Sequence, residues 1–426
     1  MLKHPPALLA WGIWALGISL YLAGFFQRVA PAVMTRELMA EFAIAAAALG
    51  NLSAFYLYGY VAMQIPTGLM VDRFGPRRVL ACGGVVAACG SFLFALAPSF
   101  ALAALGRLLI GGSVGVAWVA TLKLSAHWFP AHRFALASGL ALAAGMTGAV
   151  TAGVPLRWAV GELGWRPVMV AVAVAIAPVG GAIWWLVRDD PAERGYRSHF
   201  TGRLAPGARS SVWLGLAEVL RYRNSWLMFL APQGVVGATL SFGGLWGVPY
   251  LVSVYGYSTE RAAFYCSALL LAWAVGGPVF GALSDRFRER KPLYLVGSFS
   301  ALALWAVLIL AERPLGPALL LALLVVSGFA SGCMVIGFAF AKESVPARLA
   351  GTASGVANMG AMSGAMLLQP LIGWVLDLNW SGAATAGVRV YDAQAYRTAF
   401  LIMLVWLVAA FAAASLTRET HARQTP

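Results

Sequence analysis

Apolar positions along this chain come in long runs rather than in alternation. Stretches of about 20 mostly apolar residues are separated by short polar breaks; they run from 8–27 to 398–416, six before residue 188 and six after 223. A run of that length predicts a helix that crosses a membrane. A barrel strand would alternate and be about 10 residues long, and backbone in lipid must satisfy its own hydrogen bonds. Between the two sets, 188–223 is polar and reads as a connector, with one amphipathic helix expected at 212–222. The expected organisation is a six-helix bundle over 1–187, the connector over 188–223 and a second six-helix bundle over 224–426.

Composition agrees. Hydrophobic residues make up 61% of the 426 and charged residues 11%, against about 25% charged in soluble domains. The net charge of +14 invites a nucleic-acid reading, but the positions of the basic residues answer it. With the N-terminus in the cytoplasm, 21 of the 30 Lys and Arg fall inside, 7 outside and 2 within spans. That is the positive-inside pattern, so both termini are expected to be cytoplasmic and no nucleic acid is implied. The first run is long and lacks a small-residue cleavage site, so it is expected to be a resident helix. Cys82, Cys89, Cys266 and Cys333 lack metal-site spacing and are expected to be packing residues. No HExxH, Walker loop, nucleophile elbow or intramembrane acid pair is present, so the chain is not expected to be an enzyme or to need a metal or cofactor.

The chain repeats itself. GLMVDRFGPRR at 68–78 returns as GALSDRFRERK at 281–291, 213 residues later. ASG at 137–139 returns at 353–355, and Pro130, Met146 and Gly148 return as Pro346, Met362 and Gly364, all at an offset of 216. Six helices duplicated in parallel predict two pseudo-symmetric halves. Physically, Gly68 would let two helices approach, Gly75 would permit a tight turn, and Asp72 would face the positive end of a helix from the other half. The plain alternative is that these are topology signals, which accounts for the arginines but not for Asp72, Asp285 or the glycines.

Gly68, Asp72, Arg73, Gly75, Arg77 and Arg78, with Met70 in place of a leucine, resemble the GxLxDRxGxRR loop of the major facilitator superfamily. Arg107 and Gly111 resemble its RxxxG motif. The resemblance implies an all-α integral membrane fold of twelve transmembrane helices in two bundles, and transport by alternating access. It also implies a gating latch at those six residues and at Gly281, Asp285 and Arg286.

Within the superfamily, Arg28 in FFQRVAPAV, and the spacings from there to QIPTGLMVDRFG and from Arg107 through Lys123 to WFP at 128–130, are similar to the anion:cation symporter family of organic-acid carriers. Arg28 and Arg107 are the charged residues placed well inside the membrane, where a charge costs about 2.5 kcal/mol or more and marks a functional site by default. All 16 Asp and Glu fall in loops or at span ends, so an anionic solute, carboxylate-like, is expected to meet a guanidinium. For Arg107, hydrogen bonding to the backbone of neighbouring helices is the equal alternative. For Arg28 the alternative is that its helix stops early and the side chain snorkels to the interface. Lys123 is expected to snorkel. Family acids are replaced by Gln27 and Val114, and none of the histidines sits mid-membrane to stand in for them, which puts proton coupling by the family's route in doubt. A facilitator, an exchanger with a counter-anion, or a substrate that carries its own proton is then expected.

Weaker cavity candidates are Tyr56, Tyr58, Tyr60, Gln233, Trp246, Tyr250, Asn358 and Gln369, each with helix packing or interfacial aromatic anchoring as the alternative. Trp246 stands out because glycines and a proline in GGLWGVPYL make its helix breakable. The Gly and Ala runs ALAAGMTGAV and SGVANMGAMSGAM suit close packing between moving halves. Rival readings are transport of drugs, dipeptides or neutral solutes, and a membrane sensor without flux. The expected partners are the solute, the lipid bilayer and a coupling proton or counter-anion, with the protein acting as a monomer in the inner membrane.

Overall fold

The computed structural model describes residues 3–199 and 212–425. Residues 200–211 of the expected connector lie outside them. Among the described residues, eleven helical stretches are long and apolar enough to cross a membrane; the pair Thr35–Phe42 and Ala46–Phe74, bent by 110° at a short break, makes a twelfth. The protein is a multi-pass membrane protein, and Ala46–Phe74 is its second span in chain order.

Residue contacts divide the chain into two compact units. One comprises Met1–Arg28, Tyr58–Ala149 and Gly161–Ser210, and the other Val29–Leu57, Val150–Val160 and Ser211–Pro426. In the first unit the third span, Pro76–Leu96, packs against the fourth, Phe100–Trp128, and the sixth, Trp165–Leu186. Backbones meet there at glycines: a Cβ on Gly84 would lie 2.7 Å from the Cα of Gly180, and one on Gly106 2.7 Å from the backbone nitrogen of Phe94. Small residues are what allow helices to associate in lipid, where apolar side chains gain little by meeting.

The second unit holds the seventh span, Arg223–Tyr255, the eighth, Thr259–Phe287, the ninth, Lys291–Leu310, the tenth, Pro317–Glu343, the eleventh, Ala347–Leu378, and the twelfth, Ala393–Ser415. A short antiparallel pair, Ala384–Thr385 with Val388–Arg389, lies between the last two. The connector helix is Val212–Val219, and Glu218 holds Arg348 through two hydrogen bonds. The 3₁₀ turn Ala30–Val33 that ends the first span packs on the seventh.

Four expectations need correction. The repeated motif is helical to Phe74 in one copy and Phe287 in the other, so what reads as a loop is a helix end followed by a single positive-φ residue. Gly68 does not serve a close approach, since a Cβ there would meet nothing within 4 Å. That approach falls nine residues earlier, where a Cβ on Gly59 would lie 2.2 Å from the carbonyl oxygen of Leu108. The Gly and Ala runs pack inside their own units: Gly148 lies against the carbonyl of Leu22 and Gly364 against that of Gln233. Both contacts press a glycine on a backbone carbonyl, so the repeat is one of packing as well as of letters. Cys266 and Cys333 are buried, but Cys82 and Cys89 are exposed on the third span and pack against no core.

Candidate functional site

The first span carries its charge to a buried position. Arg28 lies in the last turn of the helix Ala7–Val29, and the 3₁₀ turn continues the chain past it, so the helix does not stop early. The side chain does not snorkel, because the residue is only 6% exposed. Its guanidinium carbon sits 4.3 Å from the ring centre of Phe25 and 5.0 Å from that of Tyr60. These are cation–π distances, and the negative face of each ring partly offsets the cost of burying the charge.

Arg107, 1% exposed, reaches back to the first span, where one of its terminal nitrogens donates to the carbonyl of Gln27. That is the helix-tying contact that the structural alternative requires. Gln27 is fully buried and donates to the Ser91 hydroxyl at 2.8 Å. Val114 presses its methyls on Gly24, leaving 2.1 Å to where a Cβ would stand. An amide bonded to a serine and a hydrocarbon in a close-packed contact therefore stand where the resemblance to organic-acid carriers implies acids.

In the second unit the seventh span departs from α-helical geometry at Phe242–Trp246, a π turn. Such turns insert one residue and mark functional sites in many helices. Here the turn sets the Trp246 indole nitrogen 3.0 Å from the carbonyl of Gln369, with Trp246 1% exposed. Tyr250 is buried in a ring cluster with Phe242, Tyr255, Tyr396 and Phe400. Tyr56 is fully buried, and Asn358 half-buried in the eleventh span.

The motif residues assemble at helix ends. Asp72 is exposed and bonds the Lys123 ammonium at 2.7 Å, and that ammonium also donates to the carbonyl of Val71. Lys123 thus carries its ammonium to an exposed carboxylate at the end of the second span. Gly75 has φ +82°, and a Cβ on it would lie 2.0 Å from an oxygen of Asp189. Asp189 accepts from the backbone N–H of Arg77 at 2.6 Å, at the start of the third span. The carboxylate meeting the positive end of a helix inside this unit is thus Asp189; Asp72 is given to Lys123. Arg77 stacks on Trp184, with 4.9 Å to the ring centre, and donates to its carbonyl, while Arg73 and Arg78 are exposed.

In the second copy, Asp285 accepts from Arg290 at 2.7 Å, and Arg290 also forks onto Glu343. Glu419 takes the place of Asp189, accepting from the backbone N–H groups of Arg290 and Lys291 at the start of the ninth span. Gly281 makes ordinary contact with Val335, and Arg286 is exposed.

Sequence reasoning missed two further clusters. Arg157 bonds Glu37 at 2.6 Å, Glu260 at 3.4 Å and the carbonyl of Val33 at 3.2 Å. Asp377 accepts from the backbone N–H groups of Ala46 and Ala47. Their only signal is an acid or arginine at a span end, the same signal that positive-inside counting reads as topology.

A sequence profile described as the Major Facilitator Superfamily matches residues 13–369. The chain belongs to this superfamily. Its members are membrane transporters, and the protein is a transporter rather than an enzyme. It is 27% identical over 407 residues to the gallate transporter of Pseudomonas putida, covering 86% of each chain. It is 23% identical to the hexuronate transporter of Escherichia coli K12, covering 98% of each. It is also 26% identical over 283 residues to the probable sulfoacetate transporter SauU of Cupriavidus necator, spanning 64% of each. Among solved structures, a bacterial homologue of the human lysosomal transporter Spinster aligns with a TM-score of 0.78 at 19% identity, over 99% of this chain and 100% of that one. The nucleoside transporter NupG aligns at 0.70 and 14% identity, over 96% of this chain. These likenesses show the superfamily fold.

Proposed function

We propose that the protein moves a small organic anion across the cytoplasmic membrane by alternating access of two six-helix bundles, 1–187 and 224–426, joined by 188–223. The observation that carries this is Arg28: a guanidinium 6% exposed, held by two aromatic faces in the first span. The rings lower the cost of burying the charge, and a carboxylate bound at this guanidinium gains strength from the low dielectric around it. Relatives of this length named for gallate and hexuronate transport support the same class of solute.

Arg28 is the ligand residue in this reading. Trp246, Tyr250, Tyr56 and Asn358 line the path, and Arg107 fixes the first span through Gln27. The gate on the cytoplasmic side is built from Gly68, Asp72, Arg73, Gly75, Arg77 and Arg78, with Gly281, Asp285 and Arg286 as its second half. With Gln27 and Val114 at the family's acid positions, the coupled species is a counter-anion or a proton carried by the solute. Both termini face the cytoplasm, and the monomer is the working unit.

Thermal unfolding in detergent tests the reading against an aromatic acid, a hexuronate, a sulfonate and their neutral analogues. A ligand at 100 times its dissociation constant adds about 2.7 kcal/mol to the folded state. Only the anions should stabilise the protein, and Arg28→Ala should remove the shift while leaving the ligand-free transition in place. Stabilisation by neutral analogues, unchanged in Arg28→Ala, would falsify the organic-anion assignment.

A further inference from the structure

We propose that the second unit carries a binding site for a phosphate-bearing anion, the headgroup of an anionic phospholipid, in a pocket at the polar end of its seventh and tenth spans. The site is separate from Arg28 and does not rest on the transport reading.

The pocket has a volume of about 360 Å³ and gathers three arginines from distant parts of the chain: Arg223 at the start of the seventh span, and Arg418 and Arg423 in the segment that follows the twelfth. All three are exposed. Among the described residues, none of the ion pairs engages any of them. Arg223 donates once, to the carbonyl of Leu416. The one carboxylate in the lining, Glu419, is committed elsewhere, because its oxygens accept from the backbone N–H groups of Arg290, Lys291, Thr420 and His421. The cavity therefore holds a surplus of positive charge, in a planar forked form that matches phosphate oxygens.

The walls are ordered by their own hydrogen bonds. Asn224, 8% exposed, donates to the Ser344 hydroxyl and to the carbonyl of Arg418, and its own oxygen accepts from the backbone of Arg418. Thr425 bonds the carbonyl of Glu343 twice, through its backbone N–H at 2.8 Å and its hydroxyl at 2.7 Å. The segment 417–425 is thus strapped across the end of the tenth span and keeps Arg418 and Arg423 over the cavity. Positive-inside topology accounts for the number of arginines but not for their convergence on one cavity from positions 223, 418 and 423.

Lipid, rather than a free anion, is indicated by what adjoins the rim. Leu416 is 56% exposed and Trp226 50% exposed, one just before Arg418 and the other just after Arg223. Further along the same two helices, Leu230 and Val408 are also exposed. Exposed apolar residues close in the chain to Arg223 and Arg418 place acyl chains beside the spans and the phosphate among the guanidinium groups, and tryptophan at such a boundary is an interfacial anchor.

The test uses the full chain in nanodiscs and in detergent. Native mass spectrometry and thermal unfolding are recorded with phosphatidylglycerol, with phosphatidylcholine and with inorganic phosphate. Each arginine near an anionic lipid contributes a factor of about five, so Arg418→Gln with Arg423→Gln should weaken phosphatidylglycerol binding about 25-fold. The control Arg313→Gln, at an exposed arginine outside the pocket, should leave it unchanged. Phosphatidylcholine should bind weakly to all forms. If inorganic phosphate stabilises the parent and competes with phosphatidylglycerol, the phosphate site stands and its ligand is soluble. If the double variant binds phosphatidylglycerol as the parent does, the assignment is overturned. Both arginines are exposed with no side-chain hydrogen bond to lose, so the variant should fold; single Arg423→Gln, expected at about a fivefold loss, gives the same reading with one change.

Discussion

The carboxylate of Asp377 accepts a hydrogen bond of 2.8 Å from the backbone N–H of Ala47, 330 residues earlier. A second bond comes from Ala46, and Tyr391 donates to the same acid at 2.6 Å. The second span thus starts on a cap supplied by the end of the eleventh. Gly50 and Gly373 let the backbones close around it: a Cβ on Gly50 would lie 2.4 Å from the carbonyl of Gln369, and one on Gly373 2.3 Å from that of Ala46.

Removing this cap should be felt at the second span. A capping side chain is worth about 1 kcal/mol, within a range of roughly 0.5–2. Asp377→Ala should therefore lower the thermal transition, and Asp377→Asn, which keeps an acceptor, should do so less. Hydrogen exchange at the start of the second span checks where the loss falls. Unchanged protection of Ala46 and Ala47 in Asp377→Ala would show that the cap does not stabilise the helix.

The two motif copies differ at one backbone position with opposite consequences. Gly75 has φ +82° and ψ 153°, a region open to little but glycine, and Arg288 at the equivalent position has φ 56° and ψ 35°. Strain of this kind costs about 1–3 kcal/mol for a residue with a Cβ. Gly75→Ala should destabilise by at least that much, because the new methyl also meets Asp189. Arg288→Gly should be neutral or stabilising. Denaturation midpoints in one detergent decide it, and equal losses in the two variants would contradict the argument.

The acids on the two helix starts should titrate with opposite sign. Burial pushes the Asp189 carboxyl up, more than the Arg77 amide pulls it down, so it lies above the usual carboxylate range. Burial also pushes Glu419 up, but backbone N–H groups of His421, Lys291, Arg290 and Thr420 outweigh it, and its carboxyl lies below that range. Linkage then gives the direction. Asp189 lowers stability as pH rises through its raised folded-state pKa, and Glu419 supplies stability above its unfolded pKa that is lost as pH falls. Against the parent, Asp189→Asn should gain stability at neutral pH, and Glu419→Gln should lose it there and lose little in acid. Unfolding from pH 3 to 7 checks both signs.

Arg157 offers a test of unequal partners. Glu37 lies 2.6 Å away with 31% of its side chain exposed, and Glu260 3.4 Å away with 52% exposed. Solvent screens the second pair more, and exposed pairs contribute about 0–1 kcal/mol. Double-mutant cycles should find a coupling of about 1 kcal/mol for Arg157 with Glu37 and near zero with Glu260. The reverse order would show that geometry does not govern the cluster.

Apolar runs of spanning length and a motif repeated 213 residues on were enough to read twelve spans in two halves from the sequence, and transport came with the motif's resemblance to the superfamily. That information is local: hydrophobic length decides whether a segment enters lipid, and a repeat survives in spacing whatever its contacts. Arg28 and Arg107 could be singled out because a charge in an apolar run is conspicuous. Where each charge ends depended on packing between segments far apart in the chain. Only the tertiary structure gave Asp72 to Lys123, set Asp189 and Glu419 on helix starts, turned Arg107 onto the backbone of Gln27, and brought Arg223, Arg418 and Arg423 around one cavity. Side-chain partners are chosen by distance in space, and hydrophobic periodicity carries no record of which helix ends meet.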